Sequence, residues 1–167
     1  MDRSSFLQSS LVLVSGFAAA PVFAFESTDI NQDFDPALIE EFVTAGHGDL
    51  PTVKRLLNQT PNLLNARHDW GNGDFEEAIE GAAHVGNKEL ANYLIDAGAR
   101  VNLFTLTMLG KDKIVLPAIE EYPALIQSKG AHGFSLLHHA KKGGPEAKSI
   151  LDYLTQKGLI TDRFELK

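Results

Sequence analysis

The chain has 167 residues, no cysteine and a formal net charge of −7, with a pI near 5.3. The missing cysteines exclude disulfides and thiolate metal sites, and the acidic balance argues against a nucleic-acid partner because the general field of the protein does not attract phosphate. We therefore expect a fold that is stabilised by packing alone.

The first 24 residues have the pattern of a secretory signal peptide. An apolar run follows Arg3 and ends in the small-residue pattern Val22-x-Ala24, which is typical of a cleavage site. A membrane anchor is the alternative, but the run is short and is broken by Ser15, Gly16 and Pro21. We predict a signal peptide over residues 1–24 and a periplasmic or secreted protein. A single arginine where a twin-arginine signal has two favours the Sec route without deciding it.

Helices are predicted to begin after an acidic N-terminal segment, residues 25–35. Asp35 is a suitable N-cap and Pro36 suits the first helical position, so the first helix should run from Pro36 to about Ala45. Pro51 should open the next helix, to about Gln59. Apolar spacing and glycine stops predict further helices over residues 76–85, 88–97, 103–109, 111–121, 136–142 and 145–157. Pro117 lies inside one of them and should either bend it or delay its start.

The most specific stretch of the sequence runs from Ala82 to Asn102 and reads A-A-H-V-G-N-K-E-L-A-N-Y-L-I-D-A-G-A-R-V-N. It describes a helix end at Gly86, an amphipathic helix and a stop at Gly98. Glycine suits both stops because the left-handed conformation costs it nothing sterically. The stretch resembles the second half of an ankyrin repeat, a unit that cannot bury its own apolar faces and stacks on copies of itself.

Imperfect copies of this pattern lie on both sides of that stretch. One begins at Thr44, one at Leu109, and a fourth at Gly133, where G-F-S-L-L-H-H-A resembles the family's G-x-T-P-L-H-x-A. The equivalent glycines are spaced 38, 24 and 34 residues, against a family period of about 33; they are Gly48, Gly86, Gly110 and Gly144. The resemblance implies an all-α ankyrin-repeat solenoid of about four stacked helix–turn–helix repeats over residues 36–159. The third repeat is shortened, and a C-terminal tail follows at 160–167.

The resemblance also implies structural roles for individual residues. His138 stands where the family's histidine bonds the backbone of neighbouring repeats, and Ser135 stands in place of the family's threonine. The glycines expected to shape the turns are Gly86, Gly98, Gly110 and Gly144.

No pattern in the sequence is typical of an active site. Ser135 and His138 could be read as a nucleophile and its base, but neither an oxyanion-hole turn nor G-x-S-x-G accompanies them. The alternative function is a hydrolase or metal-dependent enzyme that uses His132, His138 and His139. Adjacent helical residues point about 100° apart, however, which disfavours that set as metal ligands. We expect no catalytic residue, no metal ligand and no cofactor.

Protein binding is the expected function, through finger loops and the concave helix face. The expected centre of the binding surface is the long finger, residues 68–75. This finger carries the single tryptophan on a glycine-rich loop. The predicted partner-binding residues are Trp70, Asp69, Asn72, Asp74, Phe75 and Phe134. Trp70 could instead fold back over a neighbouring finger as core cover, and the sequence leaves both possibilities open. The partner should be another protein, with neither nucleic acid nor membrane involved after cleavage, and the chain should be monomeric.

Acidic residues cluster around the long finger: Asp69, Asp74, Glu76, Glu77 and Glu80. Such a cluster is typical of a solvated face that keeps a solenoid soluble. The other interpretation is a dipolar surface that orients a partner, because the last repeat is comparatively basic.

Overall fold

The computed structural model of the protein describes residues 33–166. These residues form a mostly helical chain with a small antiparallel hairpin, in the order α1 (Pro36–Ala45), α2 (Leu50–Gln59), β1 (Arg67–Asp69), β2 (Phe75–Glu77), α3 (Ala78–Val85), α4 (Lys88–Asp96), α5 (Leu103–Met108), α6 (Asp112–Glu121), α7 (Leu136–Gly143) and α8 (Lys148–Gln156). The predicted signal peptide lies outside the described residues. Within residues 33–166, no helix is long and apolar enough to cross a membrane.

The helix ends follow the local signals read from the sequence. Side chains of the residues before five helices accept hydrogen bonds from free backbone N–H groups in the first turn; these caps are Asp35, Asp49, Asn87, Asn102 and Ser135. Gly86 ends α3 in the left-handed conformation, with φ 85° and ψ 20°, as predicted.

Three expectations about the helices are corrected by the structure. Residues 76–77 were predicted as helix, but they belong to β2, where Glu76 and Glu77 pair with β1. The last helix does not begin at Pro145, because a 3₁₀ turn over Gly144–Ala147 precedes α8. Pro117 does not delay α6, which begins at Asp112 and continues through the proline.

The helices pack in consecutive pairs, α1 with α2, α3 with α4, α5 with α6 and α7 with α8. The first helices of the pairs also contact one another in chain order, from α1 to α3, α5 and α7. The fully buried side chains lie along these contacts and include Phe42, Leu56, Leu90, Leu94, Met108, Leu136, Ile150 and Leu154. Each contributes about 1.5–3 kcal/mol through burial, so apolar packing dominates the stability of the fold.

The connections between the pairs differ in length, and this difference positions the site. The α2–α3 connection contains a 3₁₀ turn, Pro61–Asn65, and the β1–β2 hairpin, whereas α4 and α5 are joined without either. The α5 helix has six residues, and α7 contacts α3 as well as α5. As a result β2 contacts the 3₁₀ turn Ala131–Gly133 of the α6–α7 connection.

Candidate functional site: a histidine–glutamate cluster

Four polar side chains from distant parts of the chain meet at the end of the β1–β2 hairpin. They are His47 after α1, Glu76 on β2, His84 on α3 and His132 in the turn before α7, and we call them the histidine–glutamate cluster. One nitrogen or oxygen of each residue lies within 4.8 Å of the corresponding atom of every other. The imidazole rings also contact one another, with His47–His84 centroids 4.7 Å apart and His84–His132 centroids 5.2 Å apart.

Close approach of α1 to α3 places His47 in the cluster. A Cβ atom on Gly46 would lie 2.5 Å from the carbonyl oxygen of Ala78, and one on Gly81 would lie 3.0 Å from Nδ1 of His47. Gly46 therefore allows α1 to approach the α3 backbone, and a side chain at Gly81 would displace the His47 ring from its present position.

His132 is held in the cluster by its backbone as well as its ring. It adopts a left-handed conformation, with φ 57°, which is uncommon for a residue other than glycine. Its N–H donates to Oδ1 of Asp74 at 2.7 Å, and its carbonyl oxygen accepts a hydrogen bond from Nε of Arg163 at 2.6 Å. These bonds join the α6–α7 connection to the long finger on one side and to the C-terminal tail on the other.

Glu76 is the centre of the cluster and is completely buried. Its Oε2 accepts a hydrogen bond from the Trp70 indole Nε1–H at 2.8 Å. Its Oε1 lies 3.4 Å from Nε2 of His47 and 3.2 Å from Nδ1 of His84, and Oε2 lies 3.3 Å from Nε2 of His132. Within residues 33–166, Glu76 Oε1 and His84 Nδ1 are the buried side-chain atoms that have no hydrogen-bond partner. An unsatisfied buried carboxylate oxygen is costly and calls for a functional explanation.

Hydrogen bonds assign the tautomers of two of the imidazoles. Nδ1 of His47 lies 3.1 Å from the carbonyl oxygen of Thr44, and Nδ1 of His132 lies 2.8 Å from Oδ2 of Asp74. Carbonyl and carboxylate oxygens only accept, so each Nδ1 carries a proton and donates. In the neutral rings, the Nε2 lone pairs of His47 and His132 therefore point towards the Glu76 carboxylate.

The pKa values of two histidines in the cluster are shifted in opposite directions. The Glu76 carboxylate favours the protonated ring and so raises the pKa of His47 above its usual value, although burial opposes this change. Burial lowers the pKa of His84 to about 3, and the neighbouring histidines lower it further. Near neutral pH, His84 is therefore a neutral ring with a free lone pair.

Two further glutamates from the acidic residues around the long finger are also buried. The interpretation of these acidic residues as a solvated face is therefore wrong for the glutamates. Glu77 and Glu80 are each 8% exposed. Glu80 accepts hydrogen bonds from the backbone N–H of Glu77 at 2.8 Å and from Nδ2 of Asn102 at 2.7 Å, which completes a capping box at the start of α3. Burial raises the pKa of Glu80 above its usual value.

The predicted partner-binding residues have different environments. Trp70 and Phe75 are 39% and 47% exposed, and Asp69 and Asn72 are exposed beside them. Both carboxylate oxygens of Asp74 bind His132 instead. Trp70 combines the two possibilities left open by the sequence, because its ring is partly exposed while its indole N–H is bound to Glu76.

Phe134 is half-buried and stacks on the ring of His138, with centroids 4.0 Å apart. An open cavity of about 540 Å³ separates the long finger from the C-terminal tail. Its lining includes Trp70, Asn72, Asp74, His132, Arg163 and Phe164. The cavity gives the histidine–glutamate cluster contact with solvent on its His132 side.

The two histidines of α7 donate hydrogen bonds to backbone carbonyl oxygens. Nε2 of His138 donates to the carbonyl oxygen of His84 at 2.8 Å, which joins α7 to α3. The expected bond was to a neighbouring repeat, whereas α3 belongs to the second helix pair and α7 to the fourth. Nδ1 of His139 donates to the carbonyl oxygen of Ser135 at 2.8 Å. Ser135 is fully buried, caps α7, and donates its hydroxyl to the carbonyl oxygen of Thr161 at 2.6 Å.

Sequence reasoning did not bring His47, Glu76 and His84 together with His132. Two signals were available. A histidine lies within two residues of the glycine that ends α1 and of the glycine that ends α3, and the long finger carries acidic residues. Comparisons with family models, curated proteins and solved structures give no match to this chain.

Proposed function

We propose that the protein is a non-catalytic binding module, an ankyrin-like stack of about four repeats that is exported to the periplasm and recognises another protein through its long finger. The observation that carries this proposal is the pair of exposed aromatic rings, Trp70 and Phe75, on a hairpin that is fixed to buried helices.

The contacts between helices support the repeat interpretation. Successive helix pairs contact one another through their first helices, which is the arrangement that a stack of helix–turn–helix units requires. Gly86 has the left-handed conformation expected at the end of a repeat's first helix.

The long finger has the properties of a preorganised recognition surface. The indole N–H of Trp70 is bound to Glu76, and Asp69 accepts a hydrogen bond from the backbone N–H of Gly71 at 2.8 Å, so the loop is ordered before any partner arrives. Ordering in advance lowers the entropy that binding costs. Phe75 projects an apolar ring beside the exposed carboxylate of Asp69, which suits a partner with an apolar pocket bordered by basic groups.

The environment of the α7 residues supports a function without turnover through Ser135 and His138. The Ser135 hydroxyl is buried and bound to Thr161, and Nε2 of His138 is bound to His84. Neither group is free to act as a nucleophile or as its base.

Affinity capture from a periplasmic extract with matched variants tests the proposal. Phe75→Ala removes an exposed ring from the long finger, and Tyr122→Ala removes one that is 64% exposed at the end of α6. We expect the wild-type protein and Tyr122→Ala to retain one protein at a stoichiometric level, and Phe75→Ala to lose it. Equal capture by all three proteins, or turnover of a generic ester or phosphate by the purified chain, would contradict the proposal.

A further inference from the structure

The histidine–glutamate cluster has the donor set of a transition-metal site. It offers three imidazole nitrogens and one carboxylate oxygen, and imidazole and carboxylate ligands suit zinc and neighbouring divalent metals. The cluster contains more than exposed acidic groups, because Glu76 is completely buried, His84 is 7% exposed, and the atoms without hydrogen-bond partners, Glu76 Oε1 and His84 Nδ1, both face its interior.

The surroundings of two of the three rings, His47 and His132, are those of metal-binding histidines. Such histidines donate the N–H that does not bind the metal to a carbonyl or a carboxylate, which fixes the tautomer and directs the other nitrogen at the ion. His47 makes this bond to Thr44 and His132 makes it to Asp74, and in both rings Nε2 is left facing Glu76.

The distances fit a tetrahedral site after small adjustments. Zinc–nitrogen and zinc–oxygen bonds of about 2.0–2.1 Å put neighbouring ligand atoms of a tetrahedron about 3.3 Å apart. Oε1 of Glu76 lies 3.4 Å from Nε2 of His47 and 3.2 Å from Nδ1 of His84, which matches this spacing. Nε2 of His132 lies 3.3 Å from the other carboxylate oxygen, Oε2, so a single-oxygen ligand set requires His132 to shift towards Oε1. The widest separation in the set is within 4.8 Å, and small ring rotations of the partly exposed His47 and His132 close that gap.

We propose that His47, Glu76, His84 and His132 bind one divalent transition-metal ion of the Zn²⁺ class. The four protein ligands fill a tetrahedral shell, so the site is structural and leaves no position for a substrate. The ion fastens three parts of the chain, the end of α1, the β2–α3 segment and the α6–α7 connection. The ion also offsets an electrostatic repulsion within the cluster. Without it, the histidine lone pairs face the negative charge of the buried Glu76 carboxylate, and a dication attracts both.

Solvent reaches the site from two sides. The side chains of His47 and His132 are 30% and 23% exposed, and His132 also lines the open cavity beside the long finger. Metal can therefore bind to the folded chain. The proposal is independent of the proposed protein partner, since every measurement below uses the purified protein alone.

Calorimetric titration of the chelator-treated full chain with ZnCl₂ at neutral pH tests the site. We expect saturable binding of one Zn²⁺ per chain. Trp70 is the single tryptophan and is bound to Glu76, so its fluorescence should change with the same stoichiometry. Substitution with Co²⁺ should give the intense visible bands of a tetrahedral ion.

Variants distinguish this site from incidental binding by surface histidines. Asp74→Asn alters the positioning of the His132 ring and should weaken Zn²⁺ binding by about 10–100-fold. His47→Gln and Glu76→Gln remove ligands and should weaken it more. His68→Gln is the matched control, because His68 contacts Trp70 but lies outside the four-residue set.

The result that supports the site is weakened binding in the Asp74, His47 and Glu76 variants with unchanged binding in His68→Gln. All four variants should keep the helical circular dichroism of the wild type. If Glu76→Gln fails to fold, the partly exposed His47 and Asp74 variants still decide the question. The proposal is overturned by an absence of saturable binding to the wild-type chain, by equal binding in all variants, or by imidazole NMR signals showing that His47 keeps protons on both nitrogens at Zn²⁺ saturation.

Discussion

Nε2 of His132 lies 3.3 Å from Oε2 of Glu76. This contact joins the α6–α7 connection to the α2–α3 connection, which are far apart in the chain. The contact depends on the short α5 helix and on the absence of a hairpin between α4 and α5. A hairpin of β1–β2 length at that position would stand between the long finger and the α6–α7 connection. The feature that makes the third helix pair irregular is therefore the one that allows the histidine–glutamate cluster to form.

Trp70 and Phe75 should respond differently to truncation. Trp70→Ala leaves Oε2 of the buried Glu76 without its indole donor, so we expect the free energy of unfolding to fall by about 1–3 kcal/mol. Phe75 is 47% exposed, and Phe75→Ala should change stability by no more than about 0.5 kcal/mol while weakening partner binding by about 2 kcal/mol.

Urea unfolding of both variants and one binding isotherm for each with the captured partner check this contrast. Trp70→Phe serves as the control for the ring alone, because it keeps an apolar side chain and loses the indole N–H. Equal stabilities of wild type and Trp70→Ala would show that the hydrogen bond to Glu76 contributes nothing.

His138 should stabilise the fold through its bond to α3. His138→Ala removes the donor to the carbonyl oxygen of His84 and the stacking contact with Phe134, so we expect a loss of about 1–3 kcal/mol in the free energy of unfolding. His138→Gln keeps an N–H donor and should recover part of the loss. A neutral effect on stability combined with the loss of an activity would refute the structural role.

Protection against hydrogen exchange should be lowest in the third helix pair. The α5 helix has six residues, and α6 buries only Val115 and Ile119 and contains Pro117, whereas α3 is buried along most of its length. Helices with few buried contacts open at lower free energy. Mass-spectrometric exchange should show faster labelling of residues 103–121 than of residues 78–96, and the reverse order would contradict this expectation.

Acid should destabilise the metal-free protein through His139. Burial lowers the pKa of His139 from 6.5 to about 4, so between these pH values the unfolded chain binds a proton that the folded chain does not. The free energy of unfolding should therefore fall as pH falls from about 6.5 to about 4, by up to about 1.4 kcal/mol per pH unit for this group.

Comparison with His139→Gln isolates that contribution, because the variant keeps an N–H donor and cannot titrate. Urea unfolding at several pH values in the presence of a chelator should give a shallower slope for the variant below pH 6.5 and parallel curves above it. Identical slopes below pH 6.5 would show that His139 is not buried as a neutral ring.

Export should remove the first 24 residues. The pattern Val22-x-Ala24 places the cleavage before Phe25. Intact-mass measurement of protein taken from its native compartment should show Phe25 as the first residue. Retention of Met1 in that fraction would rule out the signal peptide.

Most helix bounds followed from the sequence because caps, stops and apolar spacing act over a few residues. Asp35 caps α1 and Gly86 ends α3 in the structure, as the sequence indicated. The exceptions are residues that pair with a strand elsewhere in the chain. Glu76 and Glu77 were predicted as helix, but pairing with β1 draws them into a strand and leads to their burial.

The sequence by itself determined a mostly helical chain of paired elements, since the pairing of helices follows from local periodicity and helix stops. Only the tertiary structure decided that Glu76 is buried and that His47, His84 and His132 surround it. Their meeting depends on the lengths of three connections and on the close approach of α1 to α3 at Gly46. Such contacts depend on where the packed helices place their connecting loops. No local property of the four residues predicts that they meet.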